Sequence, residues 1–246
     1  MKILQEVRAA KTKKELSYII KAQRLSEQVL SNVIQNLKPK VTEIEIANLI
    51  KREFRRKGIS ILSFPPIVAF GPNTSNVHHV PGKSKLKSGD IVMLDFGATV
   101  NHYCSDMTRT FFAGVPTQRQ KKVYLDVLRA EEMTIRKIAR GERRTWVIDR
   151  AARNFLNKKH GAKKFPHGLG HGIGTVIHEW PNFKPKSEDV LPEGCVMTVE
   201  PGLYFKNWGG VRIEDMVLIT KKSFKNLTNF PKSLKDVILP RWRKGS

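Results

Sequence analysis

The stretch VMLDFGATVNHYCSDMTRTFF, Val92 to Phe112, sets Asp95 and Asp106 among residues otherwise fit for a protein interior. Aspartate is depleted in strands, and a buried carboxylate with no partner is costly or gives up its charge by taking a proton. Both flanks read as strands and the polar step Asn101-His102 reads as a turn, so the segment is expected to be a hairpin. If the turn closes on Val100-Asn101, Asp95 faces Asp106 with Cβ atoms roughly 5 Å apart. Two like charges that close destabilise the pair unless a cation lies between them, and a divalent metal pair is the usual remedy.

The same order of residues returns later in the chain. Gly89 stands six residues before Asp95, and Gly194 stands six before Glu200. Asp106-Met107 resembles Glu214-Asp215-Met216, and His78 ahead of HVP resembles His178 ahead of EWP. If the two acidic hairpins pack face to face, Asp95, Asp106, Glu200 and Glu214 converge on one point, which is hard to explain without cations. FPHGLGHGIGTVIHE adds His167, His171 and His178, with glycines around His171 that let backbone approach closely, as a ligand or substrate would require. The phosphate-loop patterns GxGxxG and GxxxxGK[ST] do not fit, and His178-Glu179 does not continue as HExxH. His79, His102 and His160 read as structural or surface residues.

These side chains need elements to hold them. Helical periodicity runs over Leu16–Leu37 and Glu43–Lys57, with Thr42 and Glu45 spaced as a capping box, and again over Gln120–Ile138 and Trp146–Lys158. Each helix pair precedes a glycine- and histidine-bearing loop and then an acidic hairpin. At 246 residues with 40% hydrophobic content the chain can bury a substantial core. No apolar run approaches a membrane span and the start has no signal-peptide core, so a cytoplasmic protein is expected. Cys104 and Cys195 form no CxxC pair and read as buried thiols in strands, so neither a disulfide framework nor a zinc ribbon is indicated. The formal net charge is +23, and the basic residues crowd the helical segments and the tail from Lys221. That surface leaves room for weak association with polyanions or ribosomes, but no recognition helix, aromatic-rich RNA-binding strand or zinc finger accompanies it.

LDFGATVNHYCSDMTRTFF, GLGHGIGTVIHE, TVEPGLY and GVRIEDMVLIT resemble the dinuclear-metal peptidases of the pita-bread fold, which include aminopeptidase P, prolidase and methionine aminopeptidase. The resemblance spans about Lys11 to Thr220. It implies an α/β (α+β) fold of two halves related by a pseudo-twofold, each with helices on an antiparallel sheet. It implies one catalytic domain over 1–246, with a basic C-terminal tail from about 221 to 246 and no separate N-terminal domain. Carried over residue by residue, it makes Asp95 a bidentate ligand of one metal, Asp106 and Glu214 bridging ligands, and His171 and Glu200 ligands of the other. A water or hydroxide bridging the pair would be the nucleophile, and Glu200 would move its proton to the leaving amine. His78 and His178 would stabilise the tetrahedral intermediate and hold the substrate amide. Arg212, on the same strand face as Glu214, would orient the carboxylates.

The arginine of RIED and His167, four residues before His171, place the chain closer to the aminopeptidase P and prolidase branch than to methionine aminopeptidases. A metal-dependent exopeptidase acting on Xaa-Pro peptides or dipeptides is therefore expected, with His167 among its catalytic histidines and Phe64 or Trp180 as an apolar wall for the prolyl ring. Two alternatives are methionine removal from nascent chains and a non-catalytic nucleic-acid or ribosome binder. The hard, oxygen-rich ligand set suits two Mn or Co ions and accommodates Fe or Zn. A homodimer is an open expectation.

Overall fold

The computed structural model describes residues 2–239 and 242. A short helix α1 (Lys2–Ala9) leads into α2 (Lys13–Ile34) and α3 (Glu43–Arg56). Strands β1 (Ile67–Phe70), β2 (Ile91–Asp95), β3 (Thr99–Val100), β4 (Tyr103–Cys104) and β5 (Thr108–Phe112) complete the first half, with a 3-10 turn at Gly71–Ser75. The second half repeats the plan with α4 (Gln118–Ala139), α5 (Thr145–His160), β6 (Gly170–Gly172), β7 (Glu179–Phe183), β8 (Val196–Val199), β9 (Gly202–Phe205), β10 (Gly209–Arg212), β11 (Asp215–Ile219) and β12 (Phe224–Asn226). Strands β1-β2-β5 form one antiparallel sheet, β12-β11-β8-β6-β7 another, and β3-β4 and β9-β10 form two-stranded ribbons.

The helices begin where local chemistry starts them. Thr12, Thr42 and Thr117 each cap a helix, with Glu15, Glu45 and Gln120 reaching back to close a capping box. One face of α2 buries Ile19, Ala22, Val29, Leu30 and Val33 at helical spacing, and α3 buries Ile46, Ala47, Ile50 and Phe54. Phe54 meets Phe96 edge to face with ring centroids 5.7 Å apart, which ties the first helix pair to the loop that follows Asp95. The internal repeat reaches the backbone: Gly89 and Gly194 both stand at φ +84°, a conformation glycine adopts without strain. Their N–H groups donate to Ala113 O at 2.7 Å and Ile219 O at 2.9 Å, closing each acidic hairpin at the same point.

Three expectations change. The hairpin turns on the polar step Asn101-His102, as expected, both left-handed at φ +46° and +69°, but it does not close on Val100-Asn101: Val100 pairs with Tyr103 and Asp95 with Thr108 rather than Asp106. Two successive positive-φ residues match the twist of the flanking strands, and this geometry sets the register. The slip is two residues, so Asp106 keeps to the side of the sheet expected of it. Next, Arg212 ends β10 and Glu214 lies in the joint before β11, so they share no strand. Cys104 lies in β4 whereas Cys195 stands one residue ahead of β8, and both are buried free thiols.

The basic stretch from Lys221 is not a loose extension over its described part. Residues 237–239 bond to Phe112, and the Trp242 indole donates to Leu37 O at 2.8 Å. Lys232 bridges Glu131 and Asp215. The remainder of that stretch, 240–241 and 243–246, lies outside the described residues. Among the described residues, no helix is long and apolar enough to cross a membrane.

Candidate metal centre

Asp95 is the last residue of β2, and Asp106 lies in the link between β4 and β5. Gly97 makes their approach possible: a Cβ there would sit 1.7 Å from Ser105 O. From the second half, Glu200 follows β8 and Glu214 precedes β11. Thr108 joins the halves, because its hydroxyl donates to Glu214 Oε2 at 2.7 Å and accepts from Arg212 Nε at 3.0 Å. The Glu214 backbone is held from both sides: its N–H donates to Thr108 O at 3.2 Å and its carbonyl accepts from Arg109 at 2.6 Å. Arg109 is itself completely buried and paired with Asp215 at 2.7 Å.

His171 sits in β6 and its N–H donates to Thr198 Oγ1 at 3.0 Å. Its Nδ1 lies 3.0 Å from Gly172 O, a carbonyl that can only accept, so the proton is on Nδ1 and Nε2 offers a lone pair. That lone pair faces Glu200 Oε1 at 3.4 Å and Asp106 Oδ2 at 3.6 Å, atoms that likewise have no hydrogen to offer when ionised. Donor atoms of Asp106, His171 and Glu214 all lie within 4.8 Å of one another. Asp95 and Glu200 line the same cavity of about 700 Å³. Asp95 Oδ1 and Glu214 Oε1 are buried with no hydrogen-bond partner.

Burial and mutual repulsion explain the electrostatics. Desolvation, then the charges of Glu214, Asp95 and Glu200, push the Asp106 carboxyl well above its ordinary range. Glu214 is raised in the same way, and burial lifts Glu200 to about 7 against the pull of Arg212. Burial also lowers His171 to about 4, which keeps its ring neutral and its lone pair free. Crowded carboxylates, a neutral imidazole and two orphaned oxygens form a donor set that fits divalent cations and strands charge without them.

Around this centre, His78 and His178 are exposed on the cavity wall, and the His178 ring packs against His171 with centroids 4.3 Å apart. Phe64 lines the cavity, whereas Trp180, half-buried, does not line it and packs against the hydrophobic core. His79, read as structural, lines the cavity too and bonds to Glu43 at 2.9 Å. His167 differs from expectation. Its Nδ1 is 2.8 Å from the Gly168 carbonyl and must donate, and burial drives its pKa down to about 3, so the ring is neutral and Nε2 is an acceptor. Nε2 takes the Tyr204 hydroxyl at 2.9 Å, and that hydroxyl accepts from Arg212 at 2.8 Å. Arg212 in turn reaches Asp95 Oδ2 at 2.5 Å. His167 thus ends a chain that holds Asp95 and has no N–H to give a substrate.

Tyr204, Thr108 and Thr198 went unrecognised as site residues. Tyr204 was visible in TVEPGLY, four residues after Glu200, but an isolated tyrosine in an apolar strand carries no local sign of a partner. The glycines around His171 also act otherwise than expected. A Cβ at Gly170 would lie 2.1 Å from Thr198 O and one at Gly172 2.6 Å from Trp180 O, so these glycines let β6 lie against the chain's own backbone.

Comparison with known proteins agrees with this geometry. The model of metallopeptidase family M24 matches residues 17–221. An uncharacterised peptidase of Staphylococcus aureus (strain MRSA252) is 37% identical over 229 residues, covering 93% of this chain and 65% of the relative. The chain therefore spans about two thirds of the length of that relative. The structure of the X-Pro aminopeptidase from Thermotoga maritima MSB8 superposes with a TM-score of 0.90 at 34% identity, over 94% of this chain and 66% of that one. The prolidase from Pyrococcus furiosus gives a TM-score of 0.90 at 35% identity, over 94% and 68%. The two pseudo-equivalent halves and their antiparallel sheets are the pita-bread fold of these neighbours.

Proposed function

The chain belongs to metallopeptidase family M24, and from that premise we propose that it is a dinuclear metal-dependent exopeptidase that cleaves the bond before proline, in Xaa-Pro peptides or dipeptides. The observation that carries this reading is the convergence of Asp95, Asp106, His171, Glu200 and Glu214 on one cavity, with two of their oxygens unpartnered. These five residues would hold two divalent ions, Mn or Co in preference to Fe or Zn. Bound ions supply Lewis acidity, lowering the pKa of water toward neutrality and polarising a carbonyl.

The protein's own groups do the rest. Of the two carboxylates beside His171, Glu200 has the more exposed side chain, 18% against 7% for Asp106, and it lines the cavity. It takes the proton of the attacking water and delivers it to the departing prolyl nitrogen. That nitrogen has no hydrogen before cleavage, so the substrate is held by its carbonyl, toward which the exposed rings of His78 and His178 donate. Phe64, Pro65 and Pro66 give the prolyl ring an apolar wall. Arg212 neutralises and aims Asp95, while Tyr204 and His167 fix Arg212. A cytoplasmic setting suits two free thiols and forms part of the same proposal.

The test compares Mn- or Co-loaded protein on Xaa-Pro-Xaa peptides, Xaa-Pro dipeptides and Met-Ala peptides. Release of the first residue from Xaa-Pro-Xaa supports an aminopeptidase, and cleavage of dipeptides alone supports a prolidase. Cleavage of Met-Ala with the Xaa-Pro series untouched refutes the proline reading.

A further inference from the structure

The positive charge is concentrated away from the metal centre. Residues 118–164, which contain α4 and α5, carry 15 Lys and Arg against 5 Asp and Glu. The acids there are engaged: Asp126 with Lys159, Glu131 with Lys232, Glu132 with Arg136, Glu142 with Arg144, and Asp149 with Arg153. A groove of about 590 Å³ opens where α4 ends and α5 begins, lined by Arg136, Lys137, Arg140 and Arg144, with one acid, Glu142, tied to Arg144 at 2.8 Å, and by none of the residues that line the metal cavity. The side chains of Lys137 and Arg140 make no hydrogen bond or ion pair with any described residue.

A second observation indicates what enters it. Trp146, half-buried and two residues beyond the groove-lining Arg144, lies beside the guanidinium groups of Arg144 and Arg150, whose centres are 5.9 and 4.7 Å from its ring. Guanidinium forks match phosphate oxygens, and an aromatic ring among them offers a base a stacking surface. The same surface is poor for membranes, because Leu125 is the only exposed large hydrophobic residue in 118–164. The cations line a recess, not a ridge that could enter a duplex groove, so a flexible strand fits better than double-stranded DNA.

We propose that this groove binds the phosphate backbone of a single-stranded nucleic acid, with Trp146 beside it as the stacking platform. The site is independent of the peptidase reading and stands or falls separately.

Fluorescence anisotropy with a labelled single-stranded RNA, at several salt concentrations from about 0.05 to 0.2 M, tests it. Replacing Arg136, Lys137 and Arg140 together by Gln removes three phosphate contacts. It should weaken binding about 100-fold at 0.1 M salt and flatten the log–log salt slope by about 2. Lys51→Gln, Arg52→Gln and Arg55→Gln together on α3 change the net charge equally and should leave most of the affinity. Trp146→Ala should weaken binding roughly tenfold with the slope unchanged, as loss of stacking predicts. Thermal melts of each variant report that it is folded. The proposal is overturned if the α3 triple costs as much as the groove triple. It is overturned equally if anionic vesicles, poly-glutamate or duplex DNA bind tighter than the single strand.

Discussion

Glu43 should hold the cavity loop in place although it touches none of the metal ligands. It is the first residue of α3 and completely buried, where a carboxylate survives only if paired. Its Oε1 accepts from Phe70 N–H at 2.9 Å and Asn73 Nδ2 at 2.8 Å, and its Oε2 accepts from Gly82 N–H at 3.0 Å and contacts His79 Nε2 at 2.9 Å. These partners bracket His78, so one carboxylate pins both ends of the loop that carries it. Glu43→Gln exchanges one oxygen for an amide that only donates. With its oxygen kept on Phe70 and Asn73, the amide confronts the Gly82 N–H and His79 must turn a lone pair toward it. One orphaned backbone donor costs about 1–3 kcal/mol, and two retained bonds lose their charge assistance at about 1 kcal/mol each, for a total of about 3–5 kcal/mol. Glu43→Ala orphans all the donors and should cost more, about 5 kcal/mol or above. Urea unfolding at constant metal concentration measures the loss, and steady-state kinetics should show KM rising as His78 loosens. If Glu43→Gln unfolds within about 0.5 kcal/mol of wild type with KM unchanged, the clamp is refuted.

Tyr204→Phe removes the hydroxyl shared by His167 and Arg212 and should lower kcat roughly tenfold, equivalent to about 1.4 kcal/mol, without changing the circular dichroism; unaltered kcat would make the chain irrelevant to turnover. Arg212→Lys leaves an ammonium to replace contacts with Asp95, Thr108 and Tyr204, so its loss of kcat should exceed that of Tyr204→Phe yet stay below that of Glu200→Gln, which should abolish nearly all turnover. In metal-stripped protein, burial raises the folded pKa of Glu200 from 4.5 to about 7, so the folded chain keeps a proton the unfolded chain has lost. Stability is full below the unfolded value and falls as pH rises through this window, by up to about 3 kcal/mol from this group, with Asp106 and Glu214 acting in the same direction. The buried neutral rings of His167 and His171, lowered to about 3 and 4, act in the opposite direction below pH 6.5, so the Glu200 contribution is read as a difference: in chelator, Glu200→Gln should gain Tm relative to the unaltered chain from ~pH 5 to ~pH 8, and a difference that stays constant contradicts the assignment.

The sequence by itself determined the parts whose causes are local or repeated. Helix starts were readable because Thr42 and Glu45 meet across one turn, and the duplication was readable because Gly89 and Gly194 serve the same turn in two hairpins. The acids Asp95, Asp106, Glu200 and Glu214 stood out because a carboxylate in an apolar strand is costly wherever that strand is buried. The tertiary structure alone decided how those acids meet. Asn101 and His102 both take left-handed conformations, and that choice shifted the hairpin register by two residues. Arg109 and Thr108 join segments about a hundred residues apart, and Tyr204 links Arg212 of the neighbouring strand to His167 in a loop, so nothing adjacent in the chain marks their partners. The role of His167 turned on a proton position. Only the carbonyl of Gly168 on one side and the Tyr204 hydroxyl on the other reveal that its free nitrogen accepts, because a histidine's donor pattern belongs to its surroundings and not to its place in the chain.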